Sequence, residues 1–269
     1  MSNNLTYAQN VESNSNQKTI KGQADSTLLQ GKTDSTLLQG KTDSTILQSG
    51  TDSTLLQSQT QSIGQEVNIL FILDASLSMK EKINDGSTKM ECAKKVLQEA
   101  ISKIPEEVNI GLRVFGQTYC GIQGMDCRSS LLLVPIGKDN RRSIIERLRQ
   151  IIPSGLTPLE YAIDQAAQDD FSGISGAKTI ILITDGAETC GGDPCKYVRS
   201  LPLMGIKLKI DVVGLDLKNE PRAKFQLNCI SESSGGKYYD ANSSQELVDT
   251  VSKSVNKAIE GKILKVLKY

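Results

Sequence analysis

The sequence predicts a doubly wound α/β fold, with a mostly parallel sheet and helices on both faces, preceded by a disordered repeat tail. Two continuously apolar, β-prone runs, 67–73 (VNILFIL) and 179–183 (TIILI), are typical of strands covered on both faces of a parallel sheet. These runs alternate with segments whose apolar residues recur at helical spacing, which is the pattern of the α/β class. A chain of 269 residues has room for one such domain and an appendage.

Strands and helices alternate from residue 67 onward. The first strand, Val67–Asp74, ends at an acidic, serine-rich loop, and the helix after it stops at Pro105, because proline cannot continue a helix. That helix is marked by apolar residues three and four positions apart: Met90, Ala93, Leu97, Ala100, Ile101 and Ile104. The later predicted elements are strand 108–115, edge strand 131–136, helices 140–152 and 158–169, strand 179–184, helix 194–204, strand 207–214, helix 222–233, strand 237–240 and helix 245–259.

The composition divides the chain into a tail, 1–63, a domain, 64–261, and a short C-terminal extension, 262–269. The tail is rich in Ser, Thr, Asn and Gln, and its single aromatic residue is Tyr7. Such a segment buries too little apolar area to offset the entropy of ordering it. We therefore predict that the tail is mostly disordered.

A nine-residue unit is repeated four times in the tail, beginning at Asp25, Asp34, Asp43 and Asp52 with the pattern Asp-Ser-Thr-Leu/Ile-Leu-Gln. It is open to three interpretations: a low-complexity linker, a multivalent interaction motif, or a short stacked β-structure. As a motif it would suit a kinase or a phosphopeptide-reading domain, since phosphorylation adds charge and hydrogen-bond acceptors. The candidate phosphorylation sites are Ser26, Thr27, Ser35, Thr36, Ser44, Thr45, Ser53 and Thr54.

The charge and residue content exclude several classes of function. Lys plus Arg equals Asp plus Glu, so no bulk positive field attracts nucleic acid. The chain has no histidine, which excludes Ser-His-Asp and Cys-His catalysis. No apolar run is long enough to span a membrane, and the N-terminus has no signal peptide pattern, which by itself indicates a cytoplasmic protein.

Oxygen-bearing side chains follow the two most apolar strands. Asp74, Ser76 and Ser78 occupy alternate positions of one loop, and Asp185 directly follows the strand 179–184. Thr157 stands just before a predicted helix. Each residue alone also suits a turn or a helix cap. Because the carboxyl ends of parallel strands share one edge, we expect them to converge there, and oxygen-only ligands suit Mg²⁺, Mn²⁺ or Ca²⁺.

In these five positions the chain resembles the von Willebrand factor A family, whose metal-ion-dependent adhesion site (MIDAS) combines Asp-x-Ser-x-Ser with a distant Thr and a distant Asp in this order. The resemblance covers nearly all of residues 67–260 and implies Mg²⁺ as the usual cation. It implies direct coordination by Ser76 and Ser78. It also implies an open position, which an Asp or Glu of a partner protein completes. The function implied is non-enzymatic protein binding.

Two other functions are compatible with the sequence. In a structural or assembly protein, the leucine pairs of the tail would self-associate. The domain would then be attached to the assembly without taking part in its formation. In a metal-dependent hydrolase, a positioned base would have to activate metal-bound water, and the nearby loops offer Asp126, Glu188 and Asp193. No motif organises these three carboxylates.

Six cysteines lie in the predicted domain, and their pairing cannot be deduced from sequence. We expect a local disulfide between Cys190 and Cys195, since Gly-Gly-Asp-Pro between them favours a tight turn. Cys120 and Cys127 are a second candidate pair, which leaves Cys92 and Cys229 either paired or as thiols. The Thr-Cys-Gly-Gly-Asp-Pro-Cys segment resembles a bacterial subgroup of the family that is often extracytoplasmic. This conflicts with the N-terminus, so the compartment stays open.

Overall fold

The computed structural model describes residues 66–266. The repeats and the candidate phosphorylation sites of the tail lie outside the described residues, as do the last three residues of the predicted C-terminal extension. The predicted doubly wound α/β fold is confirmed for the described part of the chain. Among its helices, none combines the length and the apolar character that a membrane span requires.

Six strands form one mixed sheet in the order β3-β2-β1-β4-β5-β6. The pair β2 and β3 is antiparallel, and the other four pairs are parallel. The predicted strand 131–136 therefore does lie at an edge. The strands are β1 (Val67–Asp74), β2 (Asn109–Phe115), β3 (Ser130–Gly137), β4 (Ala177–Thr184), β5 (Lys209–Leu215) and β6 (Tyr238–Ala241).

The helices follow the predicted order with two additions. A 3₁₀ turn, Leu77–Lys80, lies directly after β1, and a one-turn helix lies in the β2–β3 connection. Helix α4 continues as a π-helical turn, Ala166–Asp170, and α5 continues as a 3₁₀ turn, Leu201–Met204. The helices are α1 (Lys89–Ser102), α2 (Gln123–Asp126), α3 (Arg141–Gln150), α4 (Leu159–Gln165), α5 (Pro194–Ser200), α6 (Pro221–Ser233) and α7 (Ser244–Val266).

Strand β1 shows why the sheet needs helices on both faces. Its side chains alternate between two cores, with Phe71 and Leu73 in the core under α1, α3 and α7. Leu70 and Ile72 lie in the core under α4, α5 and α6. All eight residues of β1 are buried, which explains its continuous apolar run. The carboxyl ends of β1 and β4, which are neighbours, carry the predicted site.

The last helix passes the predicted end of the domain without a break. We place that boundary at residue 261 from the sequence, whereas α7 runs to Val266. Leu247, Val251 and Val255 of this helix are buried against the sheet, so α7 belongs to the domain.

Candidate metal centre

Asp74 is the innermost of the predicted ligands. It is the last residue of β1 and is fully buried. One carboxylate oxygen, Oδ1, accepts a hydrogen bond of 2.7 Å from the backbone N–H of Ser76. The other, Oδ2, accepts one of 2.6 Å from the hydroxyl of Thr184 at the end of β4. The two neighbouring strands thus fix the carboxylate at their shared edge.

The two serines and Asp185 bring three oxygen atoms to one point above Asp74. Ser76 Oγ lies 3.1 Å from Ser78 Oγ, and Ser78 Oγ donates a hydrogen bond of 2.8 Å to Asp185 Oδ1. Adjacent ligands of an octahedral Mg²⁺ at about 2.1 Å are separated by about 2.9 Å. The spacing of these oxygens therefore fits two neighbouring edges of such a coordination shell.

Thr157 is held beside the serine loop by backbone pairing. The N–H of Leu77 donates to the carbonyl of Gly155 at 2.9 Å, and the N–H of Ser154 donates to the carbonyl of Ala75 at 3.0 Å. Thr157 itself is buried and exchanges hydrogen bonds with Thr189: its N–H donates to Thr189 Oγ1 at 2.8 Å, and its carbonyl accepts from the N–H of Thr189 at 3.1 Å. Three loops are thereby joined.

Two glycines allow these loops to approach each other. A Cβ atom on Gly116, whose φ is +73°, would lie 2.5 Å from the carbonyl oxygen of Leu156 and 2.8 Å from the backbone nitrogen of Ser76. A Cβ atom on Gly155 would lie 2.3 Å from the carbonyl oxygen of Thr118. Real Cβ atoms do not occupy such positions, so a larger residue would push the loops apart.

Burial dominates the electrostatics of the two aspartates. Burial, together with the nearby charge of Asp185, raises the pKa of Asp74 from 3.8 to about 7. Burial also raises the pKa of Asp185, although its ion pair with Lys89 and its hydrogen bond from Ser78 act in the opposite direction. Burial makes the ionised form of both neighbouring carboxylates unfavourable. A bound cation would offset this cost, so the pair favours cation binding.

Lys89 is a member of the site that our sequence reasoning missed. It is the first residue of α1, and its side chain is only 7% exposed. Its Nζ donates to Asp185 Oδ2 at 2.9 Å and to Glu81 Oε2 at 2.7 Å. The sequence offers no motif for this contact, since 96 residues separate Lys89 from Asp185.

The residues present fit a hard divalent cation. Ser78, Thr157 and Asp185 line one open cleft of about 680 Å³. The donors are hydroxyl and carboxylate oxygens, which such cations prefer. In residues 66–266, no group of three or more His, Cys, Asp or Glu side chains is arranged to hold a metal. When bound, a divalent cation would supply an electrophilic centre for an incoming carboxylate.

The predicted disulfides are wrong in their pairing. Cys190 bonds to Cys127, and Cys195 bonds to Cys229, with Cα–Cα distances of 5.4 and 5.6 Å. Cys120 is an exposed thiol. Cys92, for which the sequence predicts either a disulfide or a thiol, is buried in the hydrophobic core.

The physical reason for the different pairing is that the segment between Cys190 and Cys195 does not fold back on itself. A Cβ atom on Gly192 would lie 2.9 Å from the side chain of Glu160, so this glycine packs closely against α4. Asp193 then caps α5 by accepting from the N–H of Lys196 at 3.0 Å. The segment therefore runs across α4, and each cysteine meets a partner on another element.

The three carboxylates considered as catalytic bases already hold backbone N–H groups. Glu188 accepts from the N–H groups of Glu160 and Cys190 at 2.9 and 2.6 Å. Asp126 is buried and accepts from the N–H groups of Cys120 and Gly121. Asp193 caps α5, as described above. All three carboxylates therefore stabilise loop structure, and Glu188 also lines the cleft beside Asp185.

An open α/β sheet with an oxygen-lined cleft at the carboxyl edge of its strands defines a class of ligand-binding domains. A model described as the von Willebrand factor type A domain matches residues 69–188. The uncharacterized protein YwmC of Bacillus subtilis (strain 168) is 34% identical over 178 residues, which cover 65% of this chain and 76% of YwmC. The chain belongs to the von Willebrand factor type A domain family.

Solved structures share the fold at lower identity. The von Willebrand factor type A structure from Catenulispora acidiphila has a TM-score of 0.59 and 19% identity, covering 72% of this chain and 43% of that chain. Proximal thread matrix protein 1 from the mussel byssus, with a zinc-occupied MIDAS motif, has a TM-score of 0.55 and 18% identity, covering 72% and 46%. At these identities the likeness concerns the fold.

Proposed function

We propose that this chain is a non-enzymatic protein-binding module that holds a divalent cation, Mg²⁺ in the first place with Mn²⁺ and Ca²⁺ as alternatives, in a MIDAS. The ligands are Asp74, Ser76, Ser78, Thr157 and Asp185, and the cation captures an Asp or Glu side chain of a partner protein. The observation that supports this proposal best is the pair of distances, 3.1 and 2.8 Å, from Ser78 Oγ to Ser76 Oγ and to Asp185 Oδ1, because Ser78 and Asp185 also line an open cleft.

The charge balance of the site supports capture of a carboxylate. The proposed protein ligands are two carboxylates and three neutral hydroxyls. One of the carboxylates, Asp185, already forms an ion pair with Lys89. A cation with so few anionic ligands remains electrophilic and gains from a carboxylate supplied by another molecule. The cleft of about 680 Å³ that Ser78, Thr157 and Asp185 line is open, so a partner side chain has room to approach.

We also propose an oxidising, extracytoplasmic environment for the domain. The two disulfides are of the kind that forms and persists outside the cytosol. Both link the segment after β4 to neighbouring elements, so they stabilise the part of the structure that presents Asp185.

The first test is thermal unfolding of the full chain in Mg²⁺, Mn²⁺, Ca²⁺ and chelator. A cation that binds only the folded state raises the unfolding temperature, so we expect a rise in at least one cation. Asp74→Ala should abolish the rise, whereas Asn219→Ala, an exposed residue of the same cleft, should retain it. A rise of equal size in Asp74→Ala would exclude the proposed site.

The second test asks whether the bound cation keeps an open position. Mn²⁺ bound with exchangeable water enhances the relaxation of solvent protons, and acetate serves as a probe for the carboxylate of a partner. We expect acetate to reduce the enhancement in the wild-type complex, because it replaces bound water. An enhancement that acetate leaves unchanged would argue against carboxylate capture.

A further inference from the structure

The position of Lys89 is unfavourable unless its partners compensate. A cation at the first residue of a helix opposes the helix dipole, which favours negative charge there. The side chain of Lys89 is also 7% exposed, and a buried ammonium loses its hydration. Both costs are offset by the two ion pairs to Asp185 and Glu81. These contacts hold the ammonium of Lys89 beside the proposed ligands.

Lys89 and a divalent cation compete for the same carboxylate. Asp185 Oδ2 accepts from Lys89 Nζ at 2.9 Å, while Asp185 Oδ1 accepts from Ser78 Oγ, a proposed ligand, at 2.8 Å. A cation held by Ser78 and Asp185 would therefore lie within a few ångströms of the ammonium. Two positive charges at such a distance repel, and solvent screens them poorly because the side chains of Lys89 and Asp185 are 7% and 0% exposed.

We propose that Lys89 is a resident counter-cation that neutralises Asp185 when no metal is bound and lowers the affinity of the site for divalent cations. This inference rests on the proposed function, since it assumes that the five ligands hold a metal. It assigns to Lys89 a tuning role at a site whose other members are all oxygen donors.

Glu81 allows this competition without leaving a buried charge unpaired. Its carboxylate accepts from Lys89 Nζ at 2.7 Å, and its side chain is 66% exposed at the same cleft. When the metal neutralises Asp185, Lys89 retains this second partner. Exposed Glu81 can move with the ammonium away from the metal, whereas Asp185, which is buried and directly follows β4, cannot.

The test is a titration of the full chain with Mn²⁺, followed by electron paramagnetic resonance of the free ion. Lys89→Met keeps the length of the side chain and removes its charge, and it should bind Mn²⁺ about ten-fold more tightly than wild type. Lys218→Met is the matched control, because Lys218 is an exposed cation of the same cleft. Its affinity for Mn²⁺ should change by less than about two-fold.

A second readout follows the stability of the chain without metal. Lys89→Met leaves Asp185 without its counter-charge, so its unfolding temperature in chelator should fall, and the rise caused by Mn²⁺ should exceed that of wild type. Lys89→Gln, which keeps a hydrogen-bond donor, serves if the methionine variant does not fold in chelator. Its affinity for Mn²⁺ should rise as well.

The outcomes separate this inference from the proposed function. Tighter Mn²⁺ binding in either Lys89 variant, with Lys218→Met unchanged, supports the role of Lys89. Equal or weaker binding in the Lys89 variants overturns that role and leaves the metal site standing. Absence of Mn²⁺ binding in every variant, wild type included, overturns both.

Discussion

At the residue scale, the central feature is a carboxylate that the fold buries completely. Asp74 has no exposed surface, and its two oxygens accept from Ser76 and Thr184. Neither donor carries a charge, so these two contacts leave the charge of the Asp74 carboxylate without neutralisation. The carboxylate is therefore poised to bind either a proton or a metal.

This predicts a specific dependence of stability on pH in the absence of metal. The pKa of Asp74 is raised from 3.8 to about 7, so between these values the folded chain holds a proton that the unfolded chain releases. The contribution of Asp74 to the free energy of unfolding should therefore fall as pH rises from about 4 to 7. Thermal unfolding in chelator measures this dependence.

The control for this prediction is Asp74→Asn, which is neutral throughout this range. We expect a flatter dependence of its unfolding temperature on pH than in wild type. An identical dependence in both proteins would assign the effect to other groups. Saturating Mg²⁺ should weaken the dependence in wild type, because the metal replaces the proton.

At the element scale, the segment after β4 is linked to both of its neighbours. Cys190 joins it to the β2–β3 connection, and Cys195 joins the start of α5 to α6. Thr189 adds the hydrogen bonds to Thr157. Cys190 directly follows Thr189, whereas Cys195 lies in the first turn of α5, beyond the loop.

We therefore predict different effects for the two disulfides on metal binding. Replacing either pair by serines should lower the free energy of unfolding by about 2–5 kcal/mol, as is usual for native disulfides. Only Cys127→Ser/Cys190→Ser should also weaken Mn²⁺ binding, because it frees the segment that carries Thr189. Chemical denaturation and Mn²⁺ titration measure the two effects, and equal Mn²⁺ affinity in both double variants would contradict the prediction.

The close approach of loops at Gly155 gives a second prediction at this scale. Gly155→Ala places a Cβ atom 2.3 Å from the carbonyl of Thr118, so the backbone must shift. We expect a loss of about 1–3 kcal/mol in the free energy of unfolding, together with weaker Mn²⁺ binding. Gly124→Ala is the control, since nothing lies within 4 Å of its Cβ position. Similar effects in both variants would refute the packing argument.

The sequence predicts local features well and distant contacts poorly. Strand Val67–Asp74 is found with the predicted bounds, because burial on both faces requires a continuous apolar run. The convergence of Asp74 with Asp185 follows from the parallel sheet. The ion pair of Lys89 and the disulfide between Cys127 and Cys190 join residues 96 and 63 positions apart, and no periodicity encodes such contacts.

At the scale of the whole molecule, a buried ion pair connects the sheet to one helical layer. Arg113 of β2 donates two hydrogen bonds, of 2.6 and 2.7 Å, to Asp170 in the π-helical turn after α4. The two side chains are 5% and 2% exposed. The buried charge of Arg113 in the sheet is therefore neutralised by Asp170, which belongs to the helical layer.

This pair predicts a large loss of stability on removal of one partner. Asp170→Ala leaves the guanidinium of Arg113 buried without a counter-charge, so the free energy of unfolding should fall by about 3–5 kcal/mol. Glu146→Ala removes the exposed partner of Arg142 and should cost less than about 1 kcal/mol. Urea denaturation of both variants measures the difference, and comparable losses would argue against the cost of the buried charge.

The register of β1 also determines how the domain would respond to tension. Its neighbours β2 and β4 pair with it along nearly its whole length, from Asn68 to Asp74 and from Val67 to Leu73. If the proposed metal holds a partner at Asp185, just beyond the end of β4, a chain pulled at Val67 would load β1 against β4 along the strand axis. The hydrogen bonds between these two strands would then be loaded in shear and would have to break together. The proposed site would thus transmit force to a strand that is paired on both sides along nearly its whole length.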